Sequence, residues 1–200
     1  MSESGRRIAS HPNPTPLPRG RDASRTLITG DPMGMVLIGL GANLGDPLSQ
    51  LRSATRQIRG ILPIDGVSAI YKTTPVGLLD QPDFLNLVLR ARSSASTEDI
   101  FALLAAIEQG LGRQRVIKGG PRTIDIDLLG YGDVVLESDS LVVPHPRLHQ
   151  RAFVLVPLAD VAPQWRHPLL NATVTEMLEA LGPVEGVVRW GDLWAESDAI

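Results

Sequence analysis

The sequence lacks cysteine altogether, which excludes disulfides, thiolate metal sites and a cysteine nucleophile. Any bound metal must be held by oxygen ligands or by the four histidines, and that favours a hard cation such as magnesium. No apolar run approaches the ~18 residues a membrane-spanning helix needs. The longer ones, such as Met35 to Leu40, are short and strand-like. Positive charge is not in excess either, with 19 Lys and Arg against 22 Asp and Glu and a formal net charge of -3. General nucleic-acid affinity is therefore excluded, and any anion must be met by a local basic cluster. The Gly-Lys-Ser/Thr phosphate loop of common nucleoside triphosphatases is missing, and no serine and histidine arrangement forms a nucleophilic triad. What is present, 43% hydrophobic and 20% charged residues in a chain of 200, is the material of one soluble domain.

Residues 1 to 34 stand apart. His11 to Gly20 holds four prolines, arginines are scattered, and no apolar periodicity appears. The segment reads as a disordered tail preceding a domain over 35–200, with a start at Met33 or Met35. From Met35 the pattern sharpens. Val36 to Gly41 is a buried strand, Asp46-Pro47 caps and opens a helix, and Gly60 ends it. Gly66 to Lys72 alternates as a second strand, and Phe84 to Leu89 is a third. Ser96 caps a second helix with Asp99 three residues on, and Ile100, Leu103, Leu104, Ile107 and Leu111 mark its apolar face. Thr123 to Leu129 is a fourth strand. The order β-α-β-β-α-β predicts an α+β, ferredoxin-like fold, an antiparallel sheet with helices on one face. Beyond it come a short hairpin over Val134 to Val143, helices over Gln150 to Asp160 and Thr173 to Leu181, and a closing strand near Val187.

The chemistry concentrates between Gly112 and Asp127. Four basic side chains and no acid lie from Arg113 to Arg122, among glycines that permit close approach to a ligand, which suits a polyphosphate. Asp125 and Asp127 follow, two apart on a strand, so their carboxylates share one face. Paired carboxylates beside arginines are what magnesium-dependent phosphoryl transfer uses. The plain alternative is that Arg122 simply pairs with Asp125. A second cluster sets His145 between Pro144 and Pro146, with Arg151 close behind, and both can contact phosphate. His149 reads as a solvated surface residue, and His11 and His167 have no supporting neighbours. A third runs from Tyr71 to Asn86. In a chain with 4% aromatic residues, Phe84 and Phe153 are available to stack on a flat ring, and Asn86 faces the same way as Phe84. The plain alternative makes Phe84 a core residue and Asn86 a strand-edge polar group.

Gly41-Ala42-Asn43-Leu44-Gly45, Asp80 to Asn86, Gly120 to Asp127 and Val143 to Arg147 together resemble the 6-hydroxymethyl-7,8-dihydropterin pyrophosphokinases of folate biosynthesis. The resemblance spans about Val36 to Pro163, in order and with similar spacing. It implies transfer of the β,γ-diphosphate of ATP to the pterin hydroxymethyl group with release of AMP, on a ferredoxin-like fold with two magnesium ions. By motif position it implies that Asp125 and Asp127 bind the metals and that Arg113 and Arg122 act on the phosphates as catalytic residues. Arg115, Lys118, His145 and Arg151 would be further ATP contacts, with Glu108 a weaker one. Phe84 and Phe153 would sandwich the pterin, and Thr73, Val76 and Asn86 would line its pocket. A cytoplasmic monomer with no nucleic-acid or membrane partner is expected. Two positions depart from the family pattern: Gly119 stands where some members have tryptophan, and Thr74 where proline is frequent. A magnesium-dependent nucleotide-sugar transferase would need a sugar-binding domain for which the chain has little room. A ferredoxin-like RNA-binding module would leave the paired aspartates unexplained.

Overall fold

The computed structural model describes residues 33–75, 80–112 and 120–194. Strand β1 (Gly34–Ala42) is an interior strand of the sheet and is followed by helix α1 (Pro47–Arg59). The helix starts where the sequence predicts: the Asp46 carboxylate accepts the Ser49 N–H at 3.1 Å, Pro47 occupies the first turn and Gly60 is the C-cap. The single strand predicted over 66–72 is two strands, β2 (Ile64–Val67) and β3 (Ile70–Thr73). Ser68 causes the break. Its hydroxyl accepts the Val88 N–H at 2.9 Å, a ladder bond that a regular strand would make with its backbone, and the Ala69 N–H turns to the Asp160 carboxylate at 3.1 Å.

Strand β4 (Phe84–Ser93), helix α2 (Thr97–Gly110) and strand β5 (Asp125–Tyr131) complete the βαββαβ unit, in which β2 and β3, both paired with β4, share the place of the second strand. Ser96 caps α2 by accepting the Asp99 N–H at 3.1 Å. A two-stranded ribbon, β6 (Leu136–Glu137) with β7 (Val142–Val143), is followed by a 3₁₀ turn at Leu148–Gln150. Helices α3 (Ala152–Val161) and α4 (Val174–Leu181) precede strand β8 (Val187–Gly191). The sheet order is β5-β1-β4-β3-β8, with β2 also on β4, and all neighbours are antiparallel. The first four places are the ferredoxin-like order, and β8 extends that sheet. No helix among the described residues is long and apolar enough to cross a membrane.

The sheet is covered on both faces, not on one as the repeat order predicts. Val36, Ile38 and Leu40 of β1 bury against Leu51, Ala54 and Ile58 of α1 and Ile100, Leu104 and Ile107 of α2. Leu37, Val88 and Leu129 point the other way and bury against Val154, Leu155 and Leu158 of α3 and Val174 and Met177 of α4. The C-terminal helices supply that second layer. His167 is buried beside Trp165, ring centroids 5.8 Å apart, and accepts the Leu169 and Leu170 N–H groups at Nδ1. His149 packs edge-on to it at 6.2 Å, with Nδ1 buried. Neither histidine is the isolated or solvated residue the sequence predicts, because the second layer folds over them. His11 lies outside the described residues.

Candidate active site

On the α3 face, β1 changes character after Leu37. The next residues on that face are Gly39 and Gly41, which carry no side chain to meet α3. A cleft of about 530 Å³ opens over them. Register fixes its floor: Gly41 lies between Asn86 of β4 and Asp125 of β5, and Gly39 between Val88 and Asp127. Asp125, Asp127, Phe84 and Asn86 therefore emerge into one space, with Asp125 and Asn86 two strand spacings apart, about 10 Å.

One end of the cleft carries charge. Arg122 pairs with Asp125, so the plain alternative for this arginine is realised in the structure, and its guanidinium also lies 5.3 Å from the centre of the Phe84 ring. The Arg122 Nε is buried and has no hydrogen-bond partner. His145, Arg147 and Arg151 also line the cleft. The Val143–Pro144 peptide is cis, and the His145 N–H donates to the Leu129 carbonyl at 2.9 Å, so the histidine is seated on β5. His145 Nδ1 accepts the Arg147 N–H at 3.2 Å, which leaves the ring proton on Nε2. Burial, and then the cations Arg151 and Arg147, push its pKa down to about 4, so at neutral pH it is an uncharged donor. Arg151 lies 5.5 Å from the centre of the Phe153 ring, at the start of α3. Its own pKa is lowered by burial and by Arg147, with Asp127 and Asp125 opposing.

The other end is polar and nearly uncharged. Asn86 and Thr73 are both buried, and the Asn86 amide donates to the Thr73 hydroxyl at 2.6 Å. Asn86 is thus no strand-edge polar group: β4 is an interior strand, and the side chain is pinned beneath the cleft. Phe84 is half-buried and lines the cleft instead of joining either core cluster, and Phe153 faces the same space from α3. Two rings and a fixed amide suit a flat, hydrogen-bonding heterocycle.

Residues 37–163 match the family model of 7,8-dihydro-6-hydroxymethylpterin-pyrophosphokinase (HPPK). The chain belongs to the HPPK family. It is 39% identical over 145 residues to a 2-amino-4-hydroxy-6-hydroxymethyldihydropteridine pyrophosphokinase of Synechocystis, across 72% of this chain and 74% of the relative. It is 40% identical over 155 residues to the protein of the same name from Bacillus subtilis, across 76% and 88%. In fold it is similar to the wild-type HPPK-DHPS of Plasmodium falciparum, with a TM-score of 0.62 and 15% identity over 78% of this chain. It spans 46% of that longer chain.

Against the HPPK motifs, the structure brings together Arg122, Asp125, Asp127, His145, Arg151, Phe84, Asn86, Phe153 and Thr73 around one cleft. Glu108 is placed differently. It is buried near the end of α2, where its carboxylate accepts the Ile126 N–H at 2.9 Å, between the two aspartates, and it is not part of the cleft wall. Val76 and the cations Arg113, Arg115 and Lys118 lie outside the described residues, as does Gly119. The motif reading passes over Arg147, Gln150, Gln81 and Thr74, which also line the cleft. Arg147 had a visible signal, two residues after His145 in the same proline-bracketed run. Asn43, inside the first motif, is a buried polar residue with a fully bonded amide.

Among the described residues no three histidine, aspartate or glutamate side chains gather into a metal cage. The donor set nevertheless fits magnesium, which is commonly held by one or two carboxylates together with substrate phosphates and water. Asp125 and Asp127, on one face of β5 and lining the cleft, are two carboxylates of that kind.

Proposed function

We propose that this protein transfers the diphosphate of ATP to the hydroxymethyl group of 6-hydroxymethyl-7,8-dihydropterin in folate biosynthesis, giving AMP and the pterin diphosphate. The observation that carries this reading is the row Asp125–Gly41–Asn86. It sets a carboxylate and an amide on neighbouring strands either side of a glycine, so a phosphate end and a heterocycle end face each other across open floor. Membership of the HPPK family supplies the identity of the two substrates.

In this reading Phe84 and Phe153 hold the pterin between their rings, and the Asn86–Thr73 pair orients its polar edge. Arg122 stands over Phe84, at the junction of the two ends, where a guanidinium meets charge developing on the transferred group. His145 donates its Nε2 proton to a phosphate oxygen, and Arg151 holds negative charge beside it. Arg113, Arg115 and Lys118 are assigned to the nucleotide phosphates by motif position, and Glu108 serves the site from behind β5. Asp125 and Asp127 hold magnesium, two ions in the family pattern, which when bound neutralises phosphate charge and aligns the reacting oxygens. The hydroxymethyl oxygen gives up its proton to solvent and bonds to the β-phosphorus, the bond to the oxygen shared with the α-phosphorus breaks, and AMP leaves with that oxygen. We read residues 35–200 as the pyrophosphokinase domain, acting as a monomer in the cytoplasm.

Chromatography of a quenched reaction containing ATP, magnesium and the hydroxymethyl pterin tests the assignment. AMP and a pterin diphosphate are expected, and Asp125→Asn or Asp127→Asn should abolish both. Release of ADP, or nucleotide consumption indifferent to magnesium, would sink it.

A further inference from the structure

We infer that Asn43 is a positioning residue that holds the two ends of the site at a fixed separation; the inference rests on the pyrophosphokinase reading. Asn43 is 3% exposed at the tip of β1. Its amide oxygen accepts the Arg122 N–H at 2.9 Å, and its amide nitrogen donates to Gln81 Oε1 at 3.1 Å and to the Pro82 carbonyl at 2.9 Å. Its own N–H and that of Leu44 donate to the Arg122 carbonyl at 3.1 and 3.2 Å. Arg122 is therefore gripped at both its N–H and its C=O, and the opposite end of the same amide grips the segment leading into Phe84.

No sheet bond does this work. The β1–β5 ladder stops at Gly41 opposite Asp125, and the β1–β4 ladder stops at Ala42 opposite Leu85. Arg122 and the Gln81–Pro82 segment lie beyond those last pairs on opposite sides of β1, and Asn43 bridges them. A carboxamide is required because one planar group must offer an acceptor to one side and two donor hydrogens to the other. In Asn43→Asp the oxygen facing Arg122 is retained, but the second oxygen faces the Pro82 carbonyl. Gln81 can rotate its amide to meet the new oxygen; a carbonyl cannot. The expected result is a shift of Phe84 relative to Arg122, and reactant misplacement of about an ångström costs on the order of 10²-fold in rate.

The test is a double-mutant cycle on the full chain, with AMP formation as the readout. N43D should lower kcat roughly 100-fold while leaving the Kd of a non-hydrolysable ATP analogue within about threefold. In an R122A background the same substitution should cost less than about a tenth of that factor, since the cation it positions is gone. An equal cost in both backgrounds, or a wild-type kcat in N43D, overturns the inference. Gln81→Ala, which removes one of the Asn43 contacts from a half-buried side chain, keeps the test open if N43D does not fold. A loss of kcat that shrinks when Gln81→Ala is combined with R122A supports the bridge, and an equal loss in both backgrounds, or an unchanged kcat, overturns it. A wild-type chain that makes no AMP refutes the pyrophosphokinase reading instead.

Discussion

Gly41 of β1 and Asn86 of β4 are directly opposed, and a Cβ on Gly41 would lie 2.6 Å from Asn86 Oδ1. Asn86 is held in place, because its amide nitrogen is tied to Thr73 at 2.6 Å. Gly41 thus keeps the floor of the cleft clear and lets the amide stand where it does.

Gly41→Ala should accordingly lower pterin affinity about tenfold or more, with a stability loss of about 1–3 kcal/mol from the forced contact. Fluorescence titration of the pterin and a denaturant melt measure the two effects separately. Unchanged pterin affinity would show that Asn86 can move aside without consequence.

Phe153→Ala and Asn86→Ala should both weaken pterin binding far more than ATP binding. The first removes a stacking face worth about 0.5–1.5 kcal/mol beyond its buried area, and the second removes a directional hydrogen bond. Calorimetry with each ligand alone decides the matter, and equal losses for both would move these residues from the pocket to the fold.

His145 gives the unliganded protein an acid sensitivity of predictable sign. Its pKa is about 4 in the folded chain against an ordinary 6.5, so between those values the unfolded chain binds a proton that the folded one does not. Stability should be full above pH 6.5, fall as pH drops through that window, and lose nothing further from this group below about 4. His145→Gln should flatten that part of the profile, as followed by urea midpoints at successive pH values. A histidine proton resonance titrating near 6.5 and assigned to His145 would contradict it.

Deletion of residues 1–32 should leave melting temperature and turnover essentially unchanged. The segment has a proline-rich stretch and no apolar periodicity with which to join a core. A clear loss of either property in the truncated chain would give the segment a structural role.

The elements of this fold were legible because each is encoded locally. Asp46-Pro47 and Gly60 bound α1, Ser96 opens α2, and a short apolar run marks β1 as a buried strand. The break between β2 and β3 was not legible, since it depends on where the Ser68 hydroxyl meets Val88, a partner twenty residues away. Nor was the second helical layer, because an apolar helix does not declare which sheet face it will cover.

For the site, sequence alone determined the kinds of groups: a carboxylate pair of the kind that suits a hard cation, a run of basic residues, two scarce rings and the motifs of the HPPK family. Their chemistry is intrinsic to the side chains and their spacing on a strand is intrinsic to its period. Only the tertiary structure decided their assembly. Strand register placed Asp125 and Asn86 either side of Gly41, packing of the C-terminal layer turned Phe153 and Arg151 onto the same cleft, and the Glu108 carboxylate was drawn to the Ile126 N–H. Asn43 shows the reason most plainly. Its role comes from three bonds to residues 38, 39 and 79 positions away, and no local pattern in a chain encodes partners at such distances.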